Sequence, residues 1–195
     1  MVHVDVMDGH FVPEISLGQP VVRSIRKATD LVLDVHLLME RPERYIAEFA
    51  EMGADRMAIH AESTPHLHKT LGMIRAGGAK AGLALNPCTA VESVSDALDQ
   101  IDYLLILSAD VGFGDSPFLP ATLGKIQTAC ALRRERRLDF AIQAEGGIGE
   151  EQIEALAQAG ADILVAGSDI FSKDPQTRLE GTIRRAASAR QVSRV

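Results

Sequence analysis

Short apolar runs alternate along the chain with longer amphipathic stretches. At the start, Val2, Val4 and Val6 fall at period two and turn away from His3, Asp5 and Met7. That alternation predicts a strand with an imidazole and a carboxylate on one face, a costly arrangement unless both find partners. Residues 31–38 repeat the device in mirror order, with Asp34 and His36 two apart. Further strands are predicted over 56–60, 80–85, 101–108, 139–144 and 162–165. Helices are predicted over 20–28, 41–52, 66–76, 90–98, 120–134, 150–159 and 176–190, several closed by glycine. A Gly-Ala-Asp turn recurs at 53–55 and 160–162, each time just before a strand.

Strict alternation of strand and helix calls for parallel strands joined by crossovers. Strands apolar on both faces fit helices outside and packed side chains inside. The expected architecture is α/β, a (β/α)8 barrel of the TIM type, with an open doubly wound sheet as the alternative. Seven βα units are one short of eight, and the chain opens within a strand. The N-terminal βα unit is therefore expected to be missing, either because the start lies upstream or because the barrel is open.

Composition narrows the function. At 195 residues, 46% hydrophobic and 24% charged, the chain suits one globular domain spanning residues 1–195. A net charge of −7 with dispersed basic residues argues against nucleic acid as a partner. The cluster Arg133-Arg134-Glu135-Arg136-Arg137 reads as the cationic end of a helix. No apolar run is long enough to span a membrane, and no signal peptide is visible. Cys88 and Cys130 have no metal-ligand spacing and read as structural, which with the other features predicts a soluble cytoplasmic protein with reduced thiols. An open barrel seam would favour a homo-oligomer.

In such a barrel the C-terminal strand ends line the active face. His3, Asp5, Asp34, His36, His60, Ser108, Glu145 and Ser168 are expected there or nearby. His60 and His66 read as loop or barrel-lining residues, and His68 as a surface helix residue. Together, His3, Asp5, His36 and Glu145 offer two imidazoles and two carboxylates, a set suited to one divalent ion: Zn²⁺, Fe²⁺, Mn²⁺ or Co²⁺. Glycines at successive strand ends (Gly146-Gly147, Gly167-Ser168 and, with Phe113, Gly112-Gly114) point to backbone amides that hold a phosphate.

The run His3-Val4-Asp5-Val6-Met7-Asp8-Gly9-His10-Phe11-Val12-Pro13 closely resembles the signature of the ribulose-phosphate 3-epimerases. So do Asp34-Val35-His36-Leu37, Asn86-Pro87, Gly112-Phe113-Gly114, Gly146-Gly147-Ile148 and Ala166-Gly167-Ser168-Asp169-Ile170-Phe171, in the same order along essentially the whole chain. The resemblance implies a ribulose-phosphate-binding barrel that holds one divalent metal ion at His3, Asp5, His36 and Glu145. It implies an isomerase of carbohydrate metabolism that interconverts ribulose 5-phosphate and xylulose 5-phosphate. The ion would bind the C2 carbonyl and C3 hydroxyl oxygens, and Asp5 and Glu145 would move protons on opposite faces of an enediolate. Gly112, Gly114, Gly146, Gly147, Gly167 and Ser168 would hold the phosphate, and Met7, Leu38 and Leu107 would wall the substrate pocket. The chain departs from the family in four places. Glu145 stands for an aspartate, Leu38 and Leu107 stand for methionines, Asp115 replaces a glycine in the loop after the sixth family strand, and the first family strand with its substrate-contacting serine has no counterpart. These departures keep open a 3-epimerase of another ketose phosphate (allulose 6-phosphate or a tetrulose phosphate), or a non-catalytic relative used for ligand sensing or assembly.

Overall fold

The computed structural model describes residues 1–114, 116–171 and 174–192. Seven parallel strands lie side by side in their sequence order: β1 (Val2–Met7), β2 (Leu33–Leu38), β3 (Arg56–His60), β4 (Lys80–Leu85), β5 (Tyr103–Leu107), β6 (Ala141–Glu145) and β7 (Ile163–Val165). Between and after them run α1 (Gln19–Ala28), α2 (Ile46–Glu51), α3 (Leu67–Ala76), α4 (Thr122–Glu135), α5 (Ile153–Ala159) and α6 (Pro175–Val192). Two expected helices differ in their winding. The one over 41–52 divides into a 3₁₀ turn, Pro42–Arg44, and α2, while Val91–Gln100 is 3₁₀ throughout. Ser93, Ser95, Asp96 and Asp99 compete with α-helical backbone bonding, and the Ser93 hydroxyl returns to the Ala90 carbonyl (2.6 Å).

Strand parity divides the interior in two. On the outer face, Val35, Leu37, Met57, Ile59, Leu83, Leu104, Ile106 and Ile142 are buried against Phe49, Leu71, Ile74, Ile126 and Leu156 of the helices. The opposite parity turns Asp34, His36, Ala58, His60, Tyr103, Leu105, Gln143 and Glu145 inward, all buried. There, contacts join strands that are not sheet neighbours. Arg56 Nη2 donates to Gln143 Oε1 (2.7 Å), and Tyr103 and Gln143 donate to the two Asp34 oxygens (2.7 and 2.8 Å). The sheet is therefore curled about its inner face in the manner of a (β/α) barrel, with seven of the eight strands of the complete form. β1 and β7 do not pair with each other among the described residues. The seam between them opens on a cavity of about 900 Å³, lined by residues that include Val2, Leu164, Ile170 and Leu179.

One side-chain device ties alternate units together. Asp55, Asp102 and Asp162 each precede a strand, and each carboxylate accepts a backbone N–H from the first or second residue of the preceding strand: Leu33 (2.7 Å), Ala81 (2.7 Å) and Ile142 (2.9 Å). Two of these are the aspartates of the recurring Gly-Ala-Asp turn. Arg26 and Arg133 reach Asp55 and Asp162 (3.0 and 2.6 Å), so an arginine of the basic cluster at the end of α4 is spent on an internal ion pair. Cys130 packs its sulfur against the Gly160 carbonyl (3.5 Å), and Cys88 is exposed; both are free thiols. Among the described residues no helix is long and apolar enough to cross a membrane.

Candidate metal centre and active site

Parallel register sets His3 beside Asp34 and Asp5 beside His36, so two neighbouring strands present a square of acid and base. Glu145, the last residue of β6, reaches this square from across the barrel. His36 Nδ1 lies 2.9 Å from Asp5 Oδ1 and 3.1 Å from Glu145 Oε2, and His3 Nε2 lies 3.1 Å from the same Glu145 oxygen and 3.4 Å from Asp5 Oδ1. One donor atom from each of the four residues falls within 4.8 Å of all the others. His3 Nε2 and Glu145 Oε2 are buried yet make no hydrogen bond, despite their closeness. Leaving buried polar atoms unsatisfied costs on the order of 1–3 kcal/mol each. Two nitrogens and two oxygens converging on one point, two of them orphaned, fit a divalent cation of the Zn²⁺, Fe²⁺, Mn²⁺ or Co²⁺ kind.

Electrostatics describe the same centre. Burial disfavours charge on His36, but Glu145 and Asp5 outweigh it and push its pKa up to about 9. Burial likewise opposes charge on His3, yet Glu145, the hydrogen bond His3 donates to Asp34 and the nearby Asp5 carboxylate hold it well above its ordinary 6.5. Asp5 is held far below the carboxylate range, since the two imidazoles overcome its desolvation. Burial and repulsion from Asp5 work to raise Glu145, and the same imidazoles overcome both and lower it. Two imidazolium protons thus balance two carboxylates, and a dication in their place leaves the charge of the centre unchanged.

Ser108 fixes the turn that carries Glu145. Its hydroxyl donates to the carbonyls of Glu145 (2.8 Å) and Gly146 (2.6 Å). Asp34 needs a correction, because sequence reasoning groups it with the residues of the mouth. β2 begins at Leu33, so Asp34 lies at the strand's start, two residues below His36. There it accepts from His3 Nδ1 (2.8 Å), Tyr103 and Gln143 and pairs with Arg56 Nε (3.3 Å), orienting His3 from the neighbouring strand. Arg56, Tyr103 and Gln143 were not anticipated. Gln143 alone carried a signal in its spacing, since it precedes Glu145 by two, as His3 precedes Asp5 and Asp34 precedes His36. His60, expected as a loop or barrel-lining residue, is fully buried with Nε2 2.9 Å from His36 Nε2. Burial and the His36 charge push its pKa down against the pull of Glu62.

Around the centre, Met7 and Leu38 pack together with Val12, and Leu107 packs with Leu105 and Tyr103; partly buried Val111 touches both groups. The loops after β5, β6 and β7 carry the glycines named above. Gly147 has φ +62°, and a Cβ there would stand 2.8 Å from the Phe118 amide nitrogen, so any side chain would close this approach. Gly112 is required by packing, because a Cβ would meet Val12 Cβ at 2.6 Å. Gly114 and Gly167 face open space, and Gly167 lines the seam cavity together with His3 and Asp5. Ser168 is exposed. Asp115 lies outside the described residues.

Comparison with known proteins agrees with this geometry. The ribulose-phosphate 3 epimerase family matches residues 1–171. The chain is 41% identical over 184 residues to ribulose-phosphate 3-epimerase of Bacillus subtilis, covering 94% of this chain and 85% of that protein. It is 43% identical over 173 residues to the Synechocystis protein of the same name, covering 88% and 75%. Among solved structures, KGPDC from Streptococcus mutans superposes with a TM-score of 0.72 at 13% identity, over 96% of this chain and 97% of that one. At that identity the superposition speaks for the fold alone. The chain belongs to the ribulose-phosphate 3-epimerase family.

Proposed function

We propose that the chain is a divalent-metal-dependent epimerase that inverts C3 of a ketose phosphate, with ribulose 5-phosphate and xylulose 5-phosphate as the pair interconverted. The observation that carries this reading is the convergence of His3, Asp5, His36 and Glu145 with two orphaned buried atoms facing one point. Bound there, the ion supplies Lewis-acid polarisation of the ketose oxygens. Asp5 and Glu145 are both held ionised at neutral pH, as a general base requires. They come from β1 and β6, on opposite sides of the mouth. One removes the C3 proton and the other returns a proton to the opposite face of the enediolate, which inverts the centre. The Asp5 side chain is about 30% exposed, so a proton taken there exchanges with solvent. Met7, Leu38 and Leu107 present an apolar wall that keeps water from the reacting carbon. Backbone amides of the loops bearing Gly112, Gly114, Gly146, Gly147, Gly167 and Ser168 receive the phosphate.

The test is proton exchange at C3 in D₂O with added Zn²⁺, Mn²⁺, Fe²⁺ or Co²⁺. Ribulose 5-phosphate is expected to gain deuterium at C3 and to yield xylulose 5-phosphate, faster than allulose 6-phosphate or a tetrulose phosphate. Preferential exchange with one of the other sugars would reassign the substrate. No metal-dependent exchange with any of them would end the enzymatic reading.

A further inference from the structure

Two groups beside the metal centre, buried His60 and the more exposed Glu62, have no part in the proton transfers described above. His60 sits at the end of β3 with Phe11 against its ring (centroids 4.7 Å apart), and Glu62 follows two residues later. His60 Nε2 lies 2.9 Å from His36 Nε2, and His60 Nδ1 lies 3.2 Å from Glu62 Oε2. The other Glu62 oxygen accepts the Asn86 backbone N–H (2.9 Å) and the Thr89 hydroxyl. The Asn86 carbonyl in turn accepts from Lys125 Nζ of α4 (2.7 Å).

The proton positions along this chain are forced one by one. His36 turns Nδ1 toward Asp5 and Glu145, and a nitrogen that donates to a cation cannot carry a proton. The His36 proton therefore sits on Nε2 and points at His60 Nε2, which must accept it. A neutral imidazole that accepts at Nε2 carries its proton on Nδ1, where it meets Glu62. An ionised carboxylate only accepts, so Glu62 sets the direction of the whole row. Because Glu62 is itself pinned by Asn86 and Thr89, the row is anchored to the loop after β4.

We infer that Glu62 and His60 are positioning residues for the metal centre: in series they hold the His36 ring and its tautomer so that Nδ1 is presented to the ion. The inference rests on the metal-dependent reading above. It gives the Asn86-Pro87 segment a task, as the fixed end of a support running from a surface loop to a metal ligand. Groups that orient a ligating histidine in this way are typically worth about 10–100-fold in metal affinity.

The experiment is titration of the metal-free protein with Co²⁺ against a competing chelator, with the visible absorption of the bound ion recorded. The parent chain is compared with Glu62→Ala, Glu62→Gln, His60→Ala and the double variant His60→Ala/Glu62→Ala. Glu62→Ala is expected to weaken Co²⁺ binding about 10–100-fold and to shift the absorption bands. Glu62→Gln keeps one acceptor oxygen and should recover part of that loss. The double variant should bind no more weakly than His60→Ala alone, because the two residues act through one row. Thermal unfolding of the metal-free forms identifies any variant that does not fold, and Thr89→Val, which loosens Glu62 from outside, then replaces it with an expected loss of a few-fold. Affinity and spectrum unchanged in Glu62→Ala, or additive losses in the double variant, overturn the positioning role while leaving the metal centre intact. A parent chain that binds no Co²⁺, or one whose binding survives His3→Ala, overturns the centre itself and this inference with it.

Discussion

Asp34 is a carboxylate with no exposure, under a site that needs His3 held still, and replacing it with asparagine gives a sharp test of the interior polar layer. Burial works to raise its pKa, but the bond from His3, the charges of His3 and Arg56 and the Tyr103 hydroxyl bring it down to about 2 from an ordinary 3.8. A carboxyl lowered on folding stabilises the fold above its unfolded pKa and loses that contribution as pH falls through the folded one. The lowering corresponds to about 2.5 kcal/mol at neutral pH, of which about 2 kcal/mol should vanish between pH 5 and pH 2. Asp34→Asn cannot titrate, and its amide also turns N–H donors toward donors, so it should be less stable at every pH. The measurement is urea unfolding of the metal-free protein at pH 5, 4, 3 and 2. The stability gap between parent and variant is expected to narrow by about 2 kcal/mol over that range. Parallel curves, with a gap that changes by less than about 0.5 kcal/mol, would mean that the layer does not stabilise ionised Asp34.

Other consequences are equally direct. His36, raised to about 9, must surrender its proton to bind a cation, so Co²⁺ affinity should climb by at least about tenfold per unit between pH 6.5 and 8.5; a flat chelator-competition profile would contradict the charge balance of the centre. Asp5→Asn and Glu145→Gln should each lower kcat for C3 epimerisation by about 10²–10⁴-fold, read by the D₂O exchange assay, and near-parent rates in either would remove that residue from the proton transfers. Gly82→Ala would drive its Cβ to 2.6 Å from two carbons of the Tyr103 ring, which Asp34 and Arg56 hold in place; a loss of about 1–3 kcal/mol in urea unfolding is expected, and a neutral result would show that the ring is free to yield.

Much of the architecture was legible because each strand here is a local object. Apolar patterning together with glycine and proline stops located all seven strands and the helical segments between them, and the recurring Gly-Ala-Asp turn marked two of the three aspartate clamps before their partners were known. Residues 90–98 were visible as helical, but the tighter 3₁₀ winding depends on how Ser93 and its neighbours bond to nearby backbone, which a hydrophobic pattern does not encode. Three of the four residues of the candidate metal site stood out because His-x-Asp and Asp-x-His are conspicuous in apolar strands. Gln143 and Tyr103 were passed over because each looks like an ordinary strand residue until curvature brings β5 and β6 over Asp34. Asp34 itself was placed too high, since its position along the barrel axis depends on where β2 begins. His60 was seen as barrel-lining, but its meeting with His36 depends on the pairing of β2 with β3 and on ring orientation, neither of which appears in the sequence.

The seam between β1 and β7 gives the metal centre a second meaning. Every strand pair in the sheet joins neighbours in sequence, so backbone hydrogen bonding alone would tolerate a flatter ribbon. The quartet does not follow that order. His3 and Asp5 stand on one edge strand, His36 on the next, and Glu145 on the strand adjoining the opposite edge. A cation held by all four would act as a clasp across the seam, drawing the two edge strands together where the described strands do not pair. At one hundred times its Kd, such an ion adds about 2.7 kcal/mol to the folded state. In this chain, then, loading the metal and closing the curve would be the same event.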